Sequence, residues 1–112
     1  MQSLVEQRCV ACEGGVPAMD STAIDKHLAQ VSNWQLSSNQ KEISREFKFK
    51  NFYHTMAFVN AIAWVANQEN HHPDLEVGYN RCLVRFTTHA IDGLSVNDFI
   101  CAAKVDVLLL GK

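Results

Sequence analysis

The stretch from Asn67 to Asn80, NQENHHPDLEVGYN, sets two of the chain's five histidines, His71 and His72, side by side directly before Pro73. Imidazole is the side chain whose ordinary pKa lies closest to neutrality, so such a pair can give and take protons under mild conditions. Adjacent side chains seldom share one packing environment, and a small domain gains little stability from two neighbouring imidazoles. Chemistry is the better reason for them. A third histidine, His89, ends the run RCLVRFTTH, where strand alternation puts Cys82, Val84, Phe86 and Thr88 on one face and Leu83, Arg85, Thr87 and His89 on the other. His89 therefore belongs to the more polar face. A three-histidine metal centre is the competing chemistry. Adjacent residues of an extended segment point to opposite sides, which opposes joint ligation by His71 and His72, and no Asp or Glu stands at a familiar ligand spacing. No metal and no cofactor are expected. Of the four cysteines, Cys9 and Cys12 form a CxxC, but Cys82 and Cys101 are single and distant, so the paired spacing of a zinc ribbon is missing. No βαβ pattern follows the CxxC, which argues against a thioredoxin-like redox site.

The elements that must position these histidines can be read on either side of them. Residues 1–19 read as a flexible leader and 20–112 as one domain. Asp20 or Ser21 can cap a first helix carrying Ile24, Leu28 and Val31 at helical spacing. Trp34 and Leu36 form a short strand with a turn over 37–40, and KEISREFKFK is a second strand pointing Ile43, Phe47 and Phe49 one way. Arg45 falls on that apolar side, an exception that suits an edge. Asn51 caps the next helix, whose stripe is Phe52, Met56, Val59, Ile62, Ala63 and Ala66 and which ends near 67–70. Pro73 disfavours an α conformation at His72, so the histidines sit at a helix-to-strand exit. Leu75, Val77 and Tyr79 then alternate as a strand, Asn80 turns the chain, and 81–89 is the partner strand. Ser95 opens the last helix, with Asp98 as its capping-box partner and Val96, Phe99, Ile100, Ala103, Val107 and Leu110 as its main stripe. Cys101, Val105 and Leu108 form a second stripe on that helix, which calls for a second partner, read as another subunit. The order α-β-β-α-β-β-α gives an α+β fold: a four-stranded, mostly antiparallel sheet with helices packed on one face.

Composition limits the function classes. At 112 residues, 47% hydrophobic and 20% charged, the chain is an ordinary single globular domain. A net charge of −2 without a long basic run leaves no footprint for a nucleic-acid backbone. The apolar runs are far below the roughly 20 residues that span a bilayer, and MQSLVEQRCVACEGG has no basic region followed by an apolar block, so a cytoplasmic protein is expected.

ENHHP, then YN, TTH and GLSVND at this spacing resemble the pterin-4a-carbinolamine dehydratase family, with similarity extending back through FKFKNFYHTMAFVNAIA to NWQL. The resemblance implies a hydro-lyase that removes water from a 4a-hydroxytetrahydropterin to give quinonoid dihydropterin, linked to phenylalanine hydroxylase in tetrahydropterin recycling. It implies His71, His72 and His89 as catalytic residues, and Trp34, Asn70, Pro73, Thr87, Thr88, Ala90 and Asp98 as substrate-binding ones. Asn70, Ala90 and Asn97 depart from the types common in such relatives. A homodimer or homotetramer through the last helix is expected. Some members of the family act as dimerisation cofactors of a transcription factor, which gives the alternative reading of a protein-binding module. A helix C-terminus favours a charged histidine at 71 or 72 while burial opposes it, so the sequence leaves open which histidine is acid and which is base.

Overall fold

The computed structural model describes residues 3–10 and 17–109; Cys12 and Leu110, named above, lie outside them. The elements are α1 (Ser21–Leu28), β1 (Gln35–Leu36), β2 (Ile43–Lys48), α2 (Phe52–Glu69), β3 (Asp74–Val77), β4 (Arg81–Phe86) and α3 (Val96–Val107), with short 3-10 turns at Leu4–Glu6 and His89–Ile91. The order and the α+β architecture are those expected. The sheet runs β1-β2-β4-β3, and all three pairings are antiparallel.

Local chemistry sets the helix starts. The Asp20 carboxylate accepts from the Ala23 N–H, the Asn51 side chain from the His54 N–H, and Ser95 with Asp98 forms the capping box at α3. On β2 and β4 the alternation is kept: Ile43, Phe47, Cys82, Val84 and Phe86 are buried on the helix-facing side. Trp34, Phe47, Phe58, Phe86 and Phe99 supply the bulk of that core, each ring removing a large apolar surface from water.

Five details differ from the sequence reading. Arg45 is not at an edge, because β2 lies between β1 and β4; its guanidinium sits 4.4 Å from the Phe47 ring centroid and 2.7 Å from Asp106 Oδ1 on α3. The buried face of α2 is Thr55, Phe58, Ile62, Val65 and Glu69, rotated from the expected stripe, of which only Ile62 is fully buried. Met56, Val59 and Ala66 are half-buried at its flank. β3 stops at Val77, and Gly78–Asn80 make the turn, with the Gly78 N–H donating to Arg81 O. β4 stops at Phe86 rather than His89, since Thr88 pairs with Gly93 and Asp92 takes a left-handed conformation (φ 51°), closing a tight loop that starts at His89. Gly93 is required there, as a Cβ would lie 2.6 Å from Ala18 Cβ.

The fifth concerns α3. Cys101 and Val105, expected to face another subunit, are fully buried inside this chain. Their cover is the segment set apart as a leader: residues 3–10 run along α3, with Leu4 buried in the main core and Lys104 Nζ donating to Val5 O at 2.8 Å. The second apolar stripe of the last helix thus has its partner within the chain. No helix among the described residues is long and apolar enough to cross a membrane.

Candidate active site

The exit from α2 is built by Asn70. It takes the left-handed conformation (φ 52°, ψ 42°) and caps the helix, and both its N–H and that of His71 point back to the Ala66 carbonyl. That reversal turns His71 inward and leaves His72 outward. His71 lies flat against Phe86, with ring centroids 6.0 Å apart and planes 9° from parallel, and its side chain is 13% exposed. Its Nε2 is 2.7 Å from Asp98 Oδ1. Asp98 is wholly buried, and its other oxygen accepts from the Thr88 hydroxyl at 2.8 Å and the Ser95 N–H at 3.0 Å. One carboxylate therefore caps α3, ties down the end of the β4 segment and orients a histidine.

The acceptor partners fix which ring nitrogen carries a proton. A carboxylate oxygen accepts, so Nε2 of His71 donates and Nδ1 is the nitrogen left to accept a proton. His72 is exposed, and its Nδ1 donates to the Pro73 carbonyl at 3.2 Å, leaving Nε2 as the acceptor. His89 stands exposed at the start of the 88–93 loop.

These three histidines line one cleft of about 520 Å³, together with Asn70, Thr87, Thr88 and Ala90. That volume is of the size that holds a small heterocycle. Thr87 donates through its hydroxyl to the Lys41 carbonyl, which fixes the cleft's far side to the loop before β2. Asp98 stands behind His71. Pro73 lines the neighbouring groove between α2 and β3. Trp34 does not reach the cleft: it is 2% exposed, donates from Nε1 to Asp106 at 2.9 Å, and touches the site only through Phe86, whose ring lies 5.8 Å away.

Sequence reasoning missed part of the lining. Cys9, Val10, Gln68, Glu69 and Asn97 complete the lining. Glu69 sits inside the ENHHP motif and Cys9 inside the CxxC, but no periodicity connects residues 60 positions apart. The carboxyl of Glu69 is pushed up by burial, yet its pKa is lowered on balance, because the Cys9 N–H and the charges of Lys104 and Arg8 outweigh that penalty. The Cys101 thiol is pushed far up by its contact with Cys9, Sγ to Sγ 3.5 Å, and by burial.

A histidine cleft at a helix exit, on a four-stranded antiparallel sheet and backed by a buried carboxylate, defines the class as an α+β protein with a polar, histidine-lined cleft. Residues 17–108 match the family described as pterin 4 alpha carbinolamine dehydratase, and the chain belongs to that family of hydro-lyases. A Nitrosomonas eutropha protein assigned as a pterin-4-alpha-carbinolamine dehydratase is 59% identical over 96% of this chain and 94% of its own length. A Legionella pneumophila protein with the same assignment is 57% identical over 96% of both. Among solved structures, a transcriptional coactivator/pterin dehydratase from Brucella melitensis superposes with a TM-score of 0.77 at 28% identity, over 81% of this chain and 97% of that one. A pterin dehydratase-like protein described as a RuBisCO assembly factor of the alpha-carboxysome shares the fold, with a TM-score of 0.60 at 21% identity over 68% and 88% of the two chains.

Proposed function

We propose that this protein dehydrates a 4a-hydroxytetrahydropterin to the quinonoid dihydropterin by histidine acid/base catalysis. The observation that carries the reading is the convergence of His71, His72 and His89 on one cleft, with His71 held by a buried carboxylate. In the reaction the hydroxyl on ring carbon 4a takes a proton and leaves as water, while a ring nitrogen loses its proton and a carbon–nitrogen double bond forms. His71 is the base: the Asp98 carboxylate at Nε2 stabilises the imidazolium that forms when Nδ1 accepts a proton. His72 and His89, both exposed at the cleft, serve the departing hydroxyl. Asn70, Thr87, Thr88 and Ala90 hold the ring, and Asp98, Pro73 and Trp34 support the site from behind. The substrate is the product of a pterin-dependent aromatic amino acid hydroxylase, such as phenylalanine hydroxylase, and the reaction returns the pterin to its recycling route in the cytoplasm.

The test is turnover of a synthetic carbinolamine, with the spontaneous rate subtracted. Alanine at His71, His72 or His89 should each lower kcat by roughly 10²- to 10⁴-fold. Dialysis against a chelator should leave the rate unchanged. Full activity in all three variants, or loss on chelation with recovery on adding zinc, would refute the histidine mechanism.

A further inference from the structure

Part of the cleft's lining is made by a segment before the residues matched by the family model, which begin at position 17. Two side chains clamp it. Glu69 Oε1 accepts from the Cys9 N–H at 2.8 Å, and Oε2 lies 3.0 Å from Arg8 Nε. Asn97 grips Val10 at both ends of its peptide groups, accepting from the Val10 N–H at 3.0 Å and donating to the Val10 carbonyl at 2.6 Å. Both clamps stand beside the chemistry: Glu69 is two residues before His71, and Asn97 directly precedes Asp98.

The clamped residues differ in what they do with their side chains. Cys9 turns inward, its Sγ 3.5 Å from Cys101 Sγ and 3.7 Å from the Asn97 carbonyl. Val10 has its backbone fixed on both sides while the residue is 72% exposed at the cleft. Burial of Val10 therefore does not explain why two polar side chains, Glu69 and Asn97, both nearly inaccessible to water, are committed to holding this stretch. An apolar side chain presented from a rigid backbone into a cleft gains its burial when a ligand arrives, without the entropy cost of ordering a loop.

We propose that Val10 contacts the bound pterin as the fourth wall of the site, and that Glu69 and Asn97 are positioning residues that set this wall at its working distance. The proposal rests on the dehydratase reading above and adds to it a substrate contact from the segment before the family-model match. Such a contact acts alike on ground state and transition state, so its loss raises KM and leaves kcat in place.

Four variants test it by steady-state turnover of the synthetic carbinolamine and by fluorescence titration with a stable 7,8-dihydropterin. Asn97→Asp keeps the acceptor for the Val10 N–H but sets a negative oxygen against the Val10 carbonyl. An acid in the first turn suits the helix dipole, so α3 itself is not weakened. Val10→Gly removes the contact, Glu69→Ala removes the clamp on Cys9, and Glu69→Gln retains an oxygen for the Cys9 N–H. Asn97→Asp, Val10→Gly and Glu69→Ala should raise KM and the dihydropterin Kd about tenfold with kcat within about twofold, and Glu69→Gln should stay near the parent values. If Glu69→Ala fails to fold, Asn97→Asp and Val10→Gly decide. Unchanged KM and Kd in these folded variants, with the parent protein active, would overturn the wall alone. A fall in kcat at constant KM would also overturn it, since the clamps would then act through His71 and Asp98. An inactive parent protein would refute the dehydratase reading and the wall with it.

Discussion

At Asp98 one carboxylate takes hydrogen bonds from the Ser95 N–H, the Thr88 hydroxyl and His71 Nε2, with none of its surface open to water. An asparagine there has a single acceptor oxygen, and its amide nitrogen must face one of those donors. As a capping-box partner alone, Asp98→Asn would cost little, because an amide oxygen can also accept from the Ser95 N–H. Facing three donors in a dry site, it should cost about 1–3 kcal/mol, read from thermal or urea unfolding. On the proposed mechanism turnover should fall by roughly 10²-fold, as His71 loses the carboxylate that orients it. Ser95→Ala separates the two roles. It removes the cap hydroxyl, for a loss of about 1 kcal/mol, but leaves the Asp98–His71 pair, so kcat should stay near the parent value. Equal kinetic losses in both variants would mean that Asp98 matters only for the fold.

The N-terminal segment and α3 form one packed unit, and two measurements address it at that level. Leu4 is buried in the main core, so Leu4→Ala should lose about 2 kcal/mol in unfolding free energy. No loss would mean the segment adds nothing to the fold. The Glu69 carboxyl binds a proton less readily in the folded protein than in the unfolded chain. Its stabilisation is therefore complete above the ordinary carboxylate range and disappears as the pH falls through the folded-state value. Melting curves from pH 7 down to pH 3 should show a stability gap between the parent and Glu69→Gln that narrows on acidification. A gap that widened would contradict the arrangement. The 88–93 loop is tested separately. Gly93→Ala places a Cβ against Ala18, which has no flexible end to move away, and should cost about 1–3 kcal/mol in the same unfolding assay.

For the molecule as a whole, the cover on α3 changes what a substitution there reports. Were Val105 at a subunit interface, Val105→Glu would release folded monomers. Val105 has no exposed surface in the single chain, so the carboxylate would be buried without a partner. Val105→Glu should therefore lose the cooperative thermal transition in circular dichroism. A folded, smaller species in light scattering would show that α3 does face another subunit. The oligomer expected from the sequence loses its original argument, since the helix's second stripe is satisfied internally. Arg45 makes the same point about scale. Read along β2 it breaks the pattern, but across the molecule it meets Asp106, which also accepts from Trp34, so the strand, the first loop and α3 share one half-buried polar contact.

The sequence determined by itself whatever depends on local periodicity and caps. The seven elements in order, the Asn51 and Ser95 starts, the inward face of β2 and β4, and the break before Pro73 are all set by residues within a few positions of one another. Three histidines at a helix exit and a strand end were legible for the same reason, as imidazoles on polar or irregular positions have little packing purpose. Tertiary structure alone decided which face of α2 is buried, because Met56, Val59 and Ala66 are as apolar as Phe58 and Val65, and only the neighbouring sheet chooses between them. It alone decided that Trp34 belongs to the core, through the meeting of its ring with Phe47, Phe86 and Asp106. It alone placed residues 8–10 against Glu69 and Asn97, since hydrogen bonds across 60 and 87 positions leave no period in a sequence and arise only when the fold brings the N-terminal segment to the histidine cleft.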